Sequence, residues 1–133
     1  MLGALILSFA IASVQHPAKA VTLPDTPQGK HVAAYIAAFN SGDIQTYLAF
    51  YEEHMAESIL AKRSIEERTK MFTKMREAFS KLAPSKVVKA SAQQIQVLFP
   101  TADADAQGTF TFDFEAAAPY KIAGLGVELD MGR

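Results

Sequence analysis

The apolar residues of this chain change their spacing once, near Lys86, and that change limits the fold more than any other feature of the sequence. Before it they recur every three or four residues, and after it they alternate. Val32, Tyr35, Ile36 and Phe39 fall on one stripe of a helix that runs from about Pro27 to Phe39. Thr26 is placed to cap its free N–H groups, and Pro27 is tolerated at the first helical position. Asn40 and Gly42 both accept left-handed conformations, so the helix is expected to stop there. Asp43 then caps a second helix whose apolar positions are Ile44, Tyr47, Leu48, Tyr51 and Met55. So short a connection lays the two helices against each other. Ala56 to Arg63 either continues the second helix or forms a loop with Ile59 and Leu60 tucked inward. Ser64 and Glu67 have the spacing of a capping box. The third helix they open reaches to about Lys81, with Met71, Phe72, Met75, Phe79 and Leu82 on one stripe and Pro84 beyond it.

From Lys86 the pattern reads as strands. Val87 and Val88 begin one. Ile95, Val97 and Phe99 alternate with Gln94, Gln96 and Leu98. A polar turn from Asp103 to Gly108 follows, with Gly108 expected to supply its awkward backbone angle. Phe110, Phe112 and Phe114 then alternate with Thr109, Thr111, Asp113 and Glu115, as a half-buried antiparallel strand does. After a turn at Ala116 to Pro119, Ala123, Leu125, Val127, Leu129 and Met131 face one side of a last strand. Gly124 and Gly126 face the other, leaving room for a close neighbour. Helices followed by strands give an α+β order. A sheet curled onto three leading helices leaves a cone-shaped hollow, and the aromatics of the first two helices either fill it as core or line it.

The chain has 133 residues, half of them hydrophobic, with nine Phe, no Cys and a net charge of −1. One packed domain suits that length and composition. Without a basic balance there is no electrostatic footprint for nucleic acid. Without Cys there are neither disulfides nor thiolate metal sites. Leu2 to Val14 is apolar but shorter than the roughly 20 residues that a membrane-spanning helix needs. Ala18 and Ala20 give the small-residue pattern of a signal-peptidase site. The expectation is a signal peptide over residues 1–20 and a domain over 21–133, periplasmic or secreted, with no membrane span after cleavage. An N-terminal core helix is the alternative, since no Lys or Arg precedes the apolar run; His16-Pro17 breaks the helix where that run stops.

The stretch Tyr35 to Tyr51, "YIAAFNSGDIQTYLAFY", followed by a helix and strands ending in "YKIAGLGVEL", resembles the nuclear transport factor 2-like (SnoaL-like) superfamily. The likeness covers roughly Pro24 to Leu129. It implies an NTF2-like cone of three N-terminal helices on a curved antiparallel sheet, in members that include isomerases, dehydratases, cyclases and non-catalytic domains. The segments "AAFNSGD", "FYEEHMA" and "RSIEER" resemble an exported subgroup found beside β-lactamase-type serine hydrolases. Those hydrolases need Ser-x-x-Lys, and no Ser in this chain has Lys three residues on. The ketosteroid isomerases of the superfamily use a helix-1 Tyr as oxyanion donor, an Asp after helix 2 as base and an acid on the sheet. Tyr35 falls on the first position. The second falls near Ser58 with Glu57 adjacent, and the third near Gly108 to Phe110, where no carboxylate stands. The superfamily's first hairpin, between helices 2 and 3, is shortened here. Members commonly pair through the sheet, and Thr109, Thr111, Gly124 and Gly126 would suit such a homodimer.

The candidate ligand-binding residues are Tyr35, Phe39, Tyr51, His54, Met55, Met75, Phe110 and Phe112, around a small apolar molecule in the cone. Tyr hydroxyls give an apolar wall a polar tip, and Met suits adaptable pockets. His54, among Glu52, Glu53 and Glu57, is either a base or part of a solvated helix end. No metal site is expected, because the His spacings match no ligand pattern, and no cofactor is expected. "DADAQG" starts like a calcium loop but has Phe114 where the closing acid belongs, so it reads as a turn. Lys62 to Lys89 carries nine basic against three acidic residues. That excess is either a surface for an anionic partner or an ordinary solvated helix face, and the helical-pair spacing of Glu66–Lys70 and Glu77–Lys81 favours the second. The functional expectation is a non-catalytic binding or accessory domain. The alternatives are an isomerase- or cyclase-like enzyme using Tyr35 with Glu57 or His54, and a structural dimerisation domain of a longer hydrolase chain.

Overall fold

A computed structural model describes residues 21–103 and 105–130. The expected export segment and Met131 lie outside these residues. Four helices precede four strands: α1 (Pro27–Asn40), α2 (Ile44–His54), α3 (Glu57–Leu60), α4 (Ile65–Phe79), β1 (Lys86–Ala90), β2 (Gln94–Pro100), β3 (Gln107–Phe114) and β4 (Ile122–Asp130). The strands form one antiparallel sheet in the order β1-β2-β3-β4. This is the α+β arrangement read from the sequence, with one helix more than expected. Ala56 to Arg63 neither extends α2 nor stays a loop: it forms the single turn α3, with Ile59 and Leu60 half-buried. Among the described residues no helix is long and apolar enough to cross a membrane.

Local chemistry explains the helix boundaries. Thr26 accepts from the Gly29 N–H at 3.0 Å and Asp43 from the Thr46 N–H at 3.1 Å. Ser64 and Glu67 complete the capping box, at 3.1 and 2.9 Å. Gly42 turns the chain with φ 71°, but Asn40 does not take the left-handed role expected of it. Its side chain instead reaches past the end of α4, donating to the Leu82 carbonyl at 2.9 Å and accepting from the Leu82 N–H at 2.7 Å. Arg76 of α4 donates to the Phe39 carbonyl at 3.1 Å, satisfying one of the last acceptors of α1.

The helices cover one face of the sheet. Ile95, Val97 and Phe99 of β2 and Phe110, Phe112 and Phe114 of β3 all point into the core, and their alternation with outward residues matches the reading. Tyr35 sits at the centre of an aromatic cluster. Its ring lies 5.5 Å from those of Phe50 and Phe112 and 6.0 Å from that of Tyr47. Phe50, absent from the predicted stripe, is buried there with the rest. Gly108 is a further correction. It lies within β3 and has no positive φ; a β-carbon there would meet the Phe79 ring at 2.5 Å, so close packing is what requires glycine.

The register places Val127 opposite Phe110 and Leu125 opposite Phe112, so the apolar residues of β4 share the core face. A bulge at Asp113/Phe114 also turns Ile122 inward, fully buried, which strict alternation from Ala123 did not anticipate. Beyond Ile122 the helices leave β4 partly uncovered: Val127 is 40% exposed and Leu129 52%. In place of a hairpin after α2 there is one parallel bridge, Met55 to Ile122, in which the Ala56 N–H donates to the Ile122 carbonyl at 2.8 Å. On the outer face Gln96 donates to Thr111 at 3.1 Å and Gln94 to Asp113 at 2.8 Å. Gly124 faces the Asp113 side chain, while Gly126 has open space above it and no close neighbour.

Candidate functional site

The uncovered stretch of β4 forms one side of a pocket of about 400 Å3, within the size range of small-molecule sites. Ala123, Gly124, Leu125 and Val127 supply the β4 wall. Met71 and Met75, one turn apart on α4, line it as well. Met55 and Ile59 close one end, and Lys62 and Arg63 stand at the exposed rim.

Tyr35, Tyr47 and Tyr51 also line the pocket. Spacing along α2 stacks Tyr47 and Tyr51 one turn apart, and Tyr35 comes across from α1. Their hydroxyls form a ladder: Tyr35 to Tyr47 at 3.5 Å and Tyr47 to Tyr51 at 3.5 Å. Both contacts lie beyond the usual hydroxyl range, so the links are weak. Burial pushes the Tyr35 and Tyr47 hydroxyls well above the ordinary tyrosine value, and for Tyr47 the nearby Tyr35 and Tyr51 add to it. At neutral pH these two groups are therefore uncharged donors. Three hydroxyl protons serve two links, which leaves one O–H for an acceptor on a bound molecule.

Of the residues singled out in the sequence, Tyr35, Tyr51, Met55 and Met75 meet in this pocket. Phe39, Phe110 and Phe112 lie in the core with no exposed surface. His54 stands elsewhere, in a shallow cleft with Phe50, Glu53 and Ala34. Glu57 is exposed at the start of α3 and does not line the pocket. Met71, Lys62 and Arg63 were missed as site residues, and Tyr47, one of the aromatics expected either to fill the hollow or to line it, does line the pocket. Tyr47 and Met71 were on the predicted stripes, but Lys62 and Arg63 sit in the segment whose conformation the sequence left open. The lining contains neither carboxylate nor imidazole.

Two polar assemblies support the site from outside. Arg68 of α4 is buried; it donates to the Leu60 carbonyl at 2.9 Å, approaches Glu52 at 3.5 Å and lies 5.5 Å over the Tyr51 ring. It thereby fixes α3 and the outer end of the tyrosine ladder to α4. Behind α1 and α2, His31 Nε2 donates to the Pro119 carbonyl at 2.9 Å, which leaves its Nδ1 as acceptor for His54 Nδ1–H, also at 2.9 Å. His54 stacks on Phe50 at 4.8 Å. Burial, and next the neighbouring His31, hold the His54 imidazole below its ordinary pKa.

Among the described residues no group of three or more His, Cys, Asp or Glu side chains converges as a metal site would require. Comparison with protein-family models, with curated proteins and with solved structures finds no match to this chain.

Proposed function

We propose that this chain is a non-catalytic, NTF2-like binding domain that holds a small apolar or amphipathic molecule between α4 and β4. The observation that carries the reading is a pocket with apolar walls that ends on buried, neutral tyrosine hydroxyls. Apolar walls supply affinity and a few placed donors supply orientation. The lining offers donors and cations but no carboxylate or imidazole to take a proton from carbon, so binding fits it better than an isomerase-like reaction through Tyr35. The A-x-A pattern before Val21 favours a periplasmic or secreted site of action. Native mass spectrometry of protein purified from its own host tests the proposal. A bound small molecule is expected, and it should be lost in Leu125→Trp, whose indole fills the pocket. The same spectrum from the native chain and the variant, with no adduct in either, would refute it.

A second copy on the outer sheet face is a separate reading, favoured by the open space above Gly126 beside Thr111. Sedimentation analysis tests it: a dimer that Thr111→Arg dissociates supports it, and a monomer at all concentrations overturns it.

A further inference from the structure

We infer that the pocket selects an amphipathic anion: an apolar tail lodged between the methionines and β4, with an acidic head held at the rim by Lys62 and Arg63. This inference rests on the binding reading above and adds the ligand's charge and orientation to it.

The asymmetry of the lining is the basis. Met55, Met71, Met75 and Leu125 present only apolar surface. All the formal charge of the lining lies at Lys62 and Arg63, and both charges are positive. Both side chains are exposed, and among the described residues neither stands within ion-pairing distance of a carboxylate. A head carrying negative charge therefore meets two cations without first displacing an acid. Arg63 can present a planar fork to a carboxylate, and Lys62 a point charge beside it. A cationic head would meet like charge at the same rim, and a neutral head could accept a hydrogen bond there but would gain no charge–charge attraction. The positive excess continues along the chain beyond the rim, since Ser64 to Lys89 holds seven basic against three acidic residues. The tail explains the methionines: their unbranched, polarizable side chains adapt to a flexible chain. A straight apolar tail also leaves the tyrosine hydroxyls free to donate to a single oxygen placed along it.

Titration calorimetry with decanoate and decyltrimethylammonium below their micelle concentrations, and with decanol below its solubility limit, tests the inference on the native chain and on Lys62→Gln/Arg63→Gln. Decanoate is expected to bind roughly tenfold tighter than decanol and to weaken with added salt. The double variant should bring decanoate down to the level of decanol, with a much smaller change in decanol itself. Each methylene removed from the acid should weaken binding about fourfold. Equal affinity for decanoate and decanol, unaltered by the double variant, overturns the anion selectivity while leaving an apolar binding pocket intact. Tightest binding of the ammonium overturns it as well. If none of the three binds, the binding reading itself fails and the selectivity fails with it.

Discussion

Tyr35 and Tyr47 should make this protein unusually sensitive to alkali, by an amount that follows from their burial. Tyr35 is 1% exposed and Tyr47 2%. Burial raises both pKa values far above the ordinary tyrosine value, whereas in the unfolded chain both titrate near 10. A group whose pKa is raised by folding contributes stability that is intact below the unfolded value and is lost as pH rises above it. Each buried tyrosine then costs about 1.4 kcal/mol for every pH unit above 10. At about pH 11 the pair should have removed roughly 2.8 kcal/mol relative to neutral pH, a large part of the 5–15 kcal/mol typical of a domain. The comparison is therefore made with variants that lack one hydroxyl or both. Urea unfolding of the native chain, Tyr35→Phe, Tyr47→Phe and the double variant should show each Phe reducing the alkaline loss by about 1.4 kcal/mol. Phenolate absorbance of the folded protein should account for fewer than its four tyrosines until it unfolds. If all four ionise near pH 10 in the folded state, and the double variant loses as much stability as the native chain, the hydroxyls are not buried donors and the pocket floor is misjudged.

Other parts of the structure give independent expectations. Gly108→Ala would drive a β-carbon to 2.5 and 2.9 Å from the buried Phe79 ring, and should lower the urea-unfolding free energy by about 1–3 kcal/mol; adding Phe79→Leu should return part of it. Asn40→Ala strips both partners from the Leu82 backbone and should cost about 2–3 kcal/mol, with Asn40→Asp intermediate because it keeps the acceptor for the Leu82 N–H. The pKa of His54 is lowered in the folded state, so its contribution is present above the unfolded value of about 6.5 and lost as pH falls through the folded one. Urea midpoints measured down this range should fall less in His54→Gln than in the native chain, and a steeper fall in the variant would contradict the one-proton link between His31 and His54.

The helix order, the caps at Thr26, Asp43 and Ser64, and the inward rows on β2 and β3 were legible because each follows from local chemistry or from a period of a few residues. Asn40 and Gly108 were misread for one reason. Both residue types suit turns, and only the tertiary arrangement shows that one clamps Leu82 and the other admits a phenyl ring. The site was legible in part. Tyr35, Tyr51, Met55 and Met75 combine an apolar body with a polar or polarizable end, and that chemistry is visible residue by residue. Phe110 and Phe112 resemble a pocket wall in sequence, but they lie under α1, where Tyr35 and Phe79 cover them. Lys62 and Arg63 could not be placed, because their position depends on α3, a single turn held by Arg68 and by the bridge from Met55 to Ile122. Neither contact leaves a periodic trace.

Three of the five methionines, Met55, Met71 and Met75, line the pocket, so methionine-methyl NMR during a titration with decanoate reports on the pocket wall itself. Those three resonances should shift together and saturate at one ligand per chain, and Leu125→Trp should abolish the shifts. Saturating decanoate that leaves all three signals in place would contradict a ligand site between α4 and β4.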